Sequence, residues 1–369
     1  MAGIYIHIPF CKQACSYCNF HFNTSLRRKN ELVAALLSET ELRKDYLKNE
    51  TIETIYFGGG TPSLLTSAEC QALIENIFTN FNVDPDAEIT LETNPDDISN
   101  ENLAEWKLAG INRLSIGIQS FFDEDLKWMN RAHNADHALA SLNSATKQFN
   151  NITIDLIYGT PFLTNDRWKE NVKRAVEFNI PHLSCYALTV EPKTPLYKMI
   201  EKHKTANVDA DKQSEQFMLL MQWTEGAGYE HYEISNFSKP GFRSRHNSSY
   251  WQGKKYLGIG PSAHSFNSES RQWNVANNNI YINSIKNGTI PFQIEILTPT
   301  QQLNEYIMTS LRTMEGLDLN HTGNAASNKL QAASKKFIER NLMIEEQNHL
   351  KLTKKGKLFA DGLAAELFF

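Results

Sequence analysis

Apolar residues in the first 227 positions follow two alternating patterns. Short β-rich runs alternate with longer segments whose apolar residues recur every three or four positions, which indicates strands and amphipathic helices in turn. The pair Thr66 and Glu69 forms a capping-box pattern that marks the start of one helix. The runs predict six strands, each followed by helix, at 4–8, 51–57, 87–93, 111–118, 151–158 and 182–188.

This strand–helix alternation predicts an α/β fold. Repeated units of this kind form parallel sheets with right-handed crossovers. Six units are two short of a complete eightfold barrel, so we predict a partial (β/α)6 TIM-like barrel over residues 1–235. An open doubly wound sheet is the competing interpretation.

The pattern changes after residue 235. Residues 236–295 are rich in Ser, Asn, Gly and aromatics, which predicts a loop-rich extension with short strands. Residues 296–369 predict helices followed by a hairpin that turns at Gln347 and Asn348, as in a C-terminal winged-helix-like α+β domain. Few basic residues gather on any one element there, which favours a packing or lid role over DNA binding.

Composition narrows the class of protein. With 41% hydrophobic and 21% charged residues, the 369-residue chain is an ordinary globular one rather than a disordered one. A net charge of −5 argues against nucleic acid as a partner. No apolar run reaches the ~20 residues needed to cross a bilayer, and the first ten residues lack a basic region and a long apolar stretch. We therefore expect a cytoplasmic protein without an integral membrane segment.

The cysteines carry the clearest chemical signal. Five are too few, and odd in number, for a disulfide scaffold, and clustered cytosolic cysteines more often bind metal. Cys11, Cys15 and Cys18 form a C-x3-C-x2-C pattern directly after the first strand. Three thiolates suit a [4Fe–4S] cluster with one open iron, and a three-ligand zinc site is the alternative.

Two further motifs lie where strands of the predicted barrel end, the edge at which such barrels build their sites. The run Gly58–Gly60, followed by Thr61, lets backbone N–H and C=O groups approach a ligand closely. Glu92 ends the third strand, and a carboxylate can accept two hydrogen bonds from a diol.

The run from Tyr5 to Cys18, YIHIPFCKQACSYC, resembles the radical S-adenosylmethionine (SAM) superfamily. It is most similar to the branch that contains oxygen-independent coproporphyrinogen III oxidases and haem chaperones. The resemblance implies one-electron cleavage chemistry, a [4Fe–4S] cluster held by Cys11, Cys15 and Cys18, and an electron donor if SAM is cleaved. It also implies a SAM site formed by Tyr5, Gly59, Gly60, Thr61, Glu92, Gln119, Arg131 and Asp155. In the oxidase the last three positions line a second SAM site; here Asp155 and Arg131 could equally form a structural ion pair.

Two features separate the branches. Phe20 occupies the position of the oxidase's fourth cysteine, and residues 246–251 match an H-N-x-x-Y-W motif that is associated with haem in the chaperone branch. The resemblance thus implies that His246, Tyr250 and Trp251 contact haem, which is then passed to an acceptor protein; imidazole is a common axial ligand of haem iron. Coproporphyrinogen III oxidase activity is the alternative function, and a structural zinc-binding protein is a third. Whether the chain is an enzyme stays open at this point.

Overall fold

One twelve-stranded sheet forms the centre of the molecule in the computed structural model, which describes residues 1–369. Its middle consists of parallel strands of mostly apolar residues buried on both faces, which is typical of strands covered by crossover helices. The first six strands are β1 (Ala2–Ile8), β2 (Ile52–Gly59), β3 (Val83–Thr93), β4 (Arg113–Gln119), β5 (Ile152–Tyr158) and β6 (His182–Ala187).

Helices connect these strands. They are α1 (Lys29–Leu42), α2 (Ser67–Asn80), α3 (Asn100–Leu108), α4 (Asp123–Trp128), α5 (Ala135–Gln148), α6 (Asn165–Glu177), α7 (Pro195–Glu201) and α8 (Ala210–Gly226). The predicted capping box of α2 is present: Thr66 Oγ1 accepts from the Glu69 N–H at 3.2 Å, and the Thr66 N–H donates to Glu69 Oε2 at 2.8 Å. No helix in the chain combines the length and apolarity that a membrane crossing requires.

The order of the strands decides between the two predicted architectures. Strands β1 to β6 lie side by side in sequence order, all parallel, without the reversal that defines a doubly wound sheet. The sheet also ends in two open edges instead of closing on itself. The partial barrel is therefore confirmed, and the doubly wound alternative is wrong.

Residues 236–295 are not the loop-rich extension that their composition predicts. With the short β7 (Glu230–Glu233) they extend both edges of the sheet, and several of their apolar residues, such as Phe237, Leu257 and Ile282, belong to the barrel core. The added elements are β8 (Asn236–Ser238), α9 (Arg245–Trp251), β9 (Lys255–Ile259), β10 (His264–Phe266), β11 (Ser270–Asn274), α10 (Asn278–Lys286) and β12 (Phe292–Ile296).

The prediction of loops failed in this segment because one of its strands, β11, has a buried face made of polar residues. In β11 the inward residues are Ser270, Gln272 and Asn274, so the strand shows no hydrophobic alternation. Asn274 Nδ2 donates to Glu39 Oε1 at 2.7 Å, and the Tyr281 hydroxyl donates to Glu39 Oε2 at 2.6 Å. Hydrogen bonds thus satisfy a polar interior that a search for apolar periodicity does not detect.

The C-terminal residues form a second unit with its own core of 14 buried residues, including Ile307, Leu330 and Phe337. Its three antiparallel strands pack against helices in the helix–strand–helix–hairpin order of a winged helix, as predicted. The elements are α11 (Pro299–Leu311), β13 (Leu317–Asp318), α12 (Asn324–Glu339), β14 (Met343–Glu346), β15 (His349–Leu352) and α13 (Ala360–Ala365).

Candidate radical SAM site

The three clustered cysteines lie on one loop that follows β1. The loop is closed at its base, because the Cys11 N–H donates to the Asn23 carbonyl at 3.1 Å and the Asn23 N–H donates to the Pro9 carbonyl at 2.8 Å. Cys11, Cys15 and Cys18 are all free thiols and half-buried. The loop therefore presents three thiols at the carboxyl end of the first strand, where the sequence predicts them.

These thiols need positive charge to ionise. Burial raises the pKa of Cys11 to about 11, opposed by a hydrogen bond from Thr61 and raised further by Cys18 and Cys15. Arg131 Nη1 donates to Cys15 Sγ at 3.3 Å and supplies one compensating charge. No three His, Cys, Asp or Glu side chains in the chain converge closely enough to hold a single metal ion. A loop with three spaced thiols fits the separate iron corners of a [4Fe–4S] cluster better than one zinc ion.

The glycine run after β2 lies directly beside the cysteine loop. The Gly60 N–H donates to the Ile8 carbonyl at 2.9 Å, and the Thr61 N–H donates to the Phe10 carbonyl at 2.6 Å. Gly59 has a φ of +104°, which side chains rarely tolerate, and a Cβ there would overlap the His7 ring. Glycine is thus required both for the backbone conformation and for the close approach.

Glu92 faces this run from the end of β3. Its Oε1 accepts from the Tyr56 hydroxyl at 2.8 Å, and its Oε2 accepts from the Gly59 N–H at 3.2 Å. Burial raises the pKa of Glu92 to about 7, and the nearby carboxylate of Asp155 raises it further. Burial also raises the pKa of Asp155 to about 7, against the opposing effects of Arg113 and Arg131. Two carboxyl groups therefore share the barrel interior.

Arg131 connects the glycine run to the cysteine loop. Besides Cys15, its guanidinium donates to Asn94 Oδ1 at 2.6 Å, and Asn94 Nδ2 donates to Thr61 Oγ1 at 3.1 Å. No direct Arg131–Asp155 ion pair forms, so the structural ion pair considered from sequence is absent. Asn94 is a site residue that sequence reasoning missed, although it lies two residues after Glu92 in the same motif.

Gln119 and Tyr5 are the last two of the eight residues expected to bind SAM. Gln119 ends β4 with a φ of +66°, a strained conformation for a residue with a side chain. Its amide nitrogen lies near Gly117, where a Cβ would come within 3.0 Å of both Gln119 and Arg131. The Tyr5 ring stacks on Tyr56 with centroids 6.1 Å apart. Gly59, Gly60, Thr61, Glu92 and Gln119 thus lie at or just after the carboxyl ends of β2 to β4, whereas Tyr5 and Asp155 lie in the middle of β1 and β5.

The structure does not bring the H-N-x-x-Y-W residues into one site. His246 is 1% exposed; its Nδ1 hydrogen-bonds Thr54 Oγ1 at 2.8 Å, and its Nε2 hydrogen-bonds the Tyr250 hydroxyl at 2.9 Å. Tyr250 lines a cavity beside β1, whereas Trp251 lies against Arg312 at the boundary with the C-terminal unit. The rings of Tyr250 and Trp251 thus line different cavities, and His246 lines neither of them.

A partial barrel with three loop thiols, a glycine run and a strand-end carboxylate defines a radical SAM protein, and residues 5–175 match the Radical SAM superfamily. Residues 297–359 match the HemN C-terminal domain. The chain belongs to the family of the heme chaperone HemW. It is 33% identical over 371 residues to the HemW of Mycobacterium tuberculosis, covering 99% of this chain and 94% of that one. It is 32% identical to that of Bacillus subtilis, covering 98% and 97%.

The fold is also that of coproporphyrinogen III oxidase (HemN) from Escherichia coli. The two structures agree with a TM-score of 0.85 at 22% identity, over all of this chain and 90% of the other. At that identity the likeness concerns the arrangement of strands and helices, not the reaction.

Proposed function

We propose that this protein binds haem and delivers it to an acceptor protein, and that it carries a [4Fe–4S] cluster with exchangeable SAM. The observation that carries the proposal is the end-to-end similarity to proteins named heme chaperone HemW. Phe20 supports it: the position that holds a cysteine in the oxidase branch holds an aromatic ring here, and that ring is 65% exposed.

The residues of the barrel mouth are suited to these cofactors. Cys11, Cys15 and Cys18 would hold the cluster, with Arg131 offsetting thiolate charge at Cys15. A reduced cluster of this kind supplies the electron for SAM cleavage. The backbone groups of Gly59 and Gly60 would meet the methionine part of SAM.

The carboxylate of Glu92 would accept the ribose hydroxyls. Its two oxygens already accept one hydrogen bond each, which leaves further lone pairs for a diol. Gln119, Asn94 and Arg131 surround Gly117 and would shape the remainder of the SAM pocket. We also propose a cytosolic location, which the five free thiols support.

Three measurements test this function. The full chain is reconstituted anaerobically with iron and sulfide, and hemin is titrated while the Soret band is followed. Hemin-loaded protein is then mixed with apomyoglobin, which reports release to a second protein. Finally, coproporphyrinogen III is added with SAM and reductant.

Saturable hemin binding, transfer to apomyoglobin and no protoporphyrinogen are expected. Absence of hemin binding would overturn the proposal, and formation of protoporphyrinogen would replace it with the oxidase function. A Phe20→Cys variant restores the oxidase's residue without altering the three cluster cysteines, and it is assayed for protoporphyrinogen formation only.

A further inference from the structure

A cavity of about 420 Å³ opens beside the cysteine loop, on the side of β1 that faces β9 and β10. Imidazole and aromatic side chains dominate its wall, among them Phe20, His21, Tyr250, Tyr256 and His264. Its size lies within the range of cofactor sites. Four of its nine lining residues are aromatic, and the other five are three histidines, Asn19 and Ser262.

The histidines around this cavity differ in what their ring nitrogens can do. His7 is buried, and its nitrogens are occupied by the Tyr5 hydroxyl at 3.2 Å and the His21 carbonyl at 3.0 Å. His246 lies behind the wall, and both of its nitrogens are hydrogen-bonded to Thr54 and Tyr250. Neither ring can bind a metal without breaking hydrogen bonds in the interior.

His21 uses its Nε2 to hydrogen-bond Asn278 Oδ1 at 2.7 Å. His264 differs from these three histidines. Its side chain is exposed to the cavity and has no hydrogen-bond partner, and its ring stacks on Trp273 with centroids 6.2 Å apart. Partial burial lowers the pKa of His264, and the charge of Arg271 lowers it further. Neutral imidazole is the form that ligates iron.

His264 is also held firmly by the backbone. It begins β10, where it is paired with Trp273 of β11 in the antiparallel ladder. The following residue is fixed as well, because the Gly258 N–H donates to Ser265 Oγ at 2.9 Å. A ligand on a rigid strand keeps its orientation when the metal arrives.

We infer that His264 is the axial ligand of haem, and that the macrocycle occupies this cavity with the exposed ring of Phe20 against it. This inference rests on the proposed haem-binding function and adds the site. His246 then acts through Tyr250, whose hydroxyl it holds at the cavity wall, as a positioning residue.

The location has a consequence for the cluster. Residues 19–21 line the cavity and follow Cys18 directly, and Tyr5 lines it while also packing against Gly58 of the SAM site. The haem site thus shares a wall with the cysteine loop and with the SAM pocket, although H-N-x-x-Y-W and C-x3-C-x2-C are more than two hundred residues apart in sequence.

The test compares His264→Ala with the unaltered full chain after anaerobic reconstitution, by hemin titration. We expect affinity to fall by about tenfold or more, with a displaced Soret band. Free imidazole added to His264→Gly should restore the Soret position, because it replaces the ligand without altering the fold. Phe20→Ala should weaken binding while leaving the Soret position of bound haem unchanged.

His321→Ala is the control, since that ring is 72% exposed and lies in a different cavity. It should bind hemin as the unaltered chain does. If His264→Ala melts at a lower temperature than the unaltered chain, the hemin titration is repeated with His264→Gln, which keeps a polar side chain of similar size. A normal spectrum and affinity in the His264 variants would overturn the inference while leaving the haem function intact. Failure of the unaltered chain to take up hemin would instead overturn the function.

Discussion

The Tyr56 hydroxyl of β2 donates a 2.8 Å hydrogen bond to Glu92 of the neighbouring β3, and this bond helps to fix the orientation of the carboxylate. The second oxygen of Glu92 is held by the backbone of the glycine run. The Glu92 carboxylate is therefore already positioned before a ligand binds between β3 and the glycine run. Binding then costs little entropy for ordering this side chain.

Glu92→Gln should weaken SAM binding. At pH 8, above the pKa of about 7, the change replaces a charged acceptor with a neutral amide of the same size, which costs about 1–3 kcal/mol for a lost charged hydrogen bond. Calorimetric titration of SAM into the reconstituted chain measures the change in affinity. Tyr56→Phe keeps the charge and removes only the orienting phenol, so its loss should be the smaller of the two. Equal SAM affinities of Glu92→Gln and the unaltered chain would contradict the ribose-binding role.

Glu92 and Asp155 should make a contribution to the stability of the cofactor-free protein that falls as the pH rises from about 4 to 7. Burial raises the pKa of Asp155 from 3.8, and that of Glu92 from 4.5, to about 7 in each case. In this window the folded state therefore holds more protons than the unfolded chain. The destabilisation is absent below the unfolded pKa values and complete above pH 7.

Asp155→Asn removes one of these titrating groups. The difference in free energy of unfolding between the variant and the unaltered chain, from urea transitions at pH 5, 6, 7 and 8, should grow in favour of the variant as the pH rises. Parallel curves would show that Asp155 does not titrate abnormally.

Replacing any one of Cys11, Cys15 or Cys18 with Ser should abolish the brown [4Fe–4S] absorption after anaerobic reconstitution. A hydroxyl is a poor substitute for a thiolate toward iron, and no other cysteine shares the loop. Cys185→Ala is the matched control, because that thiol is buried inside β6. Full iron and sulfide content in Cys15→Ser would refute the ligand assignment.

The predicted strand–helix units correspond closely to the observed ones because strands buried on both faces of a parallel sheet appear in the sequence as continuous apolar runs. The end of each apolar run also marks the end of a strand, which is why the sequence places the cysteines, Gly59 and Glu92 correctly at or just after strand ends. The polar interior around Glu39 and Asn274 carries no such period, so β11 was not predicted. His246 shows a second limit of sequence-based prediction. The H-N-x-x-Y-W motif identifies this histidine, but it does not reveal that both of its ring nitrogens are already hydrogen-bonded.

Gly59→Ala should destabilise the protein by about 1–3 kcal/mol, because it combines an unfavourable φ with an overlap on His7. Gly226→Ala is the contrasting variant: it lies at the end of α8 with ordinary φ and open space around it. There alanine should stabilise by about 0.5–1 kcal/mol, since it lowers the conformational entropy of the unfolded chain. Thermal melting of both variants measures the difference, and equal melting temperatures would contradict it.

The pairing of β1 with β9 joins two segments that lie about 250 residues apart in sequence, with Ala2 opposite Lys255. During synthesis the first strand emerges about 250 residues before the partner that covers its second edge. At ribosomal rates of about 5–20 residues per second, that edge stays open for roughly 10–50 s. The wall of the cavity formed by Tyr256 and His264 is also missing throughout this interval. The proposed haem site is therefore complete only in chains whose synthesis has passed β10.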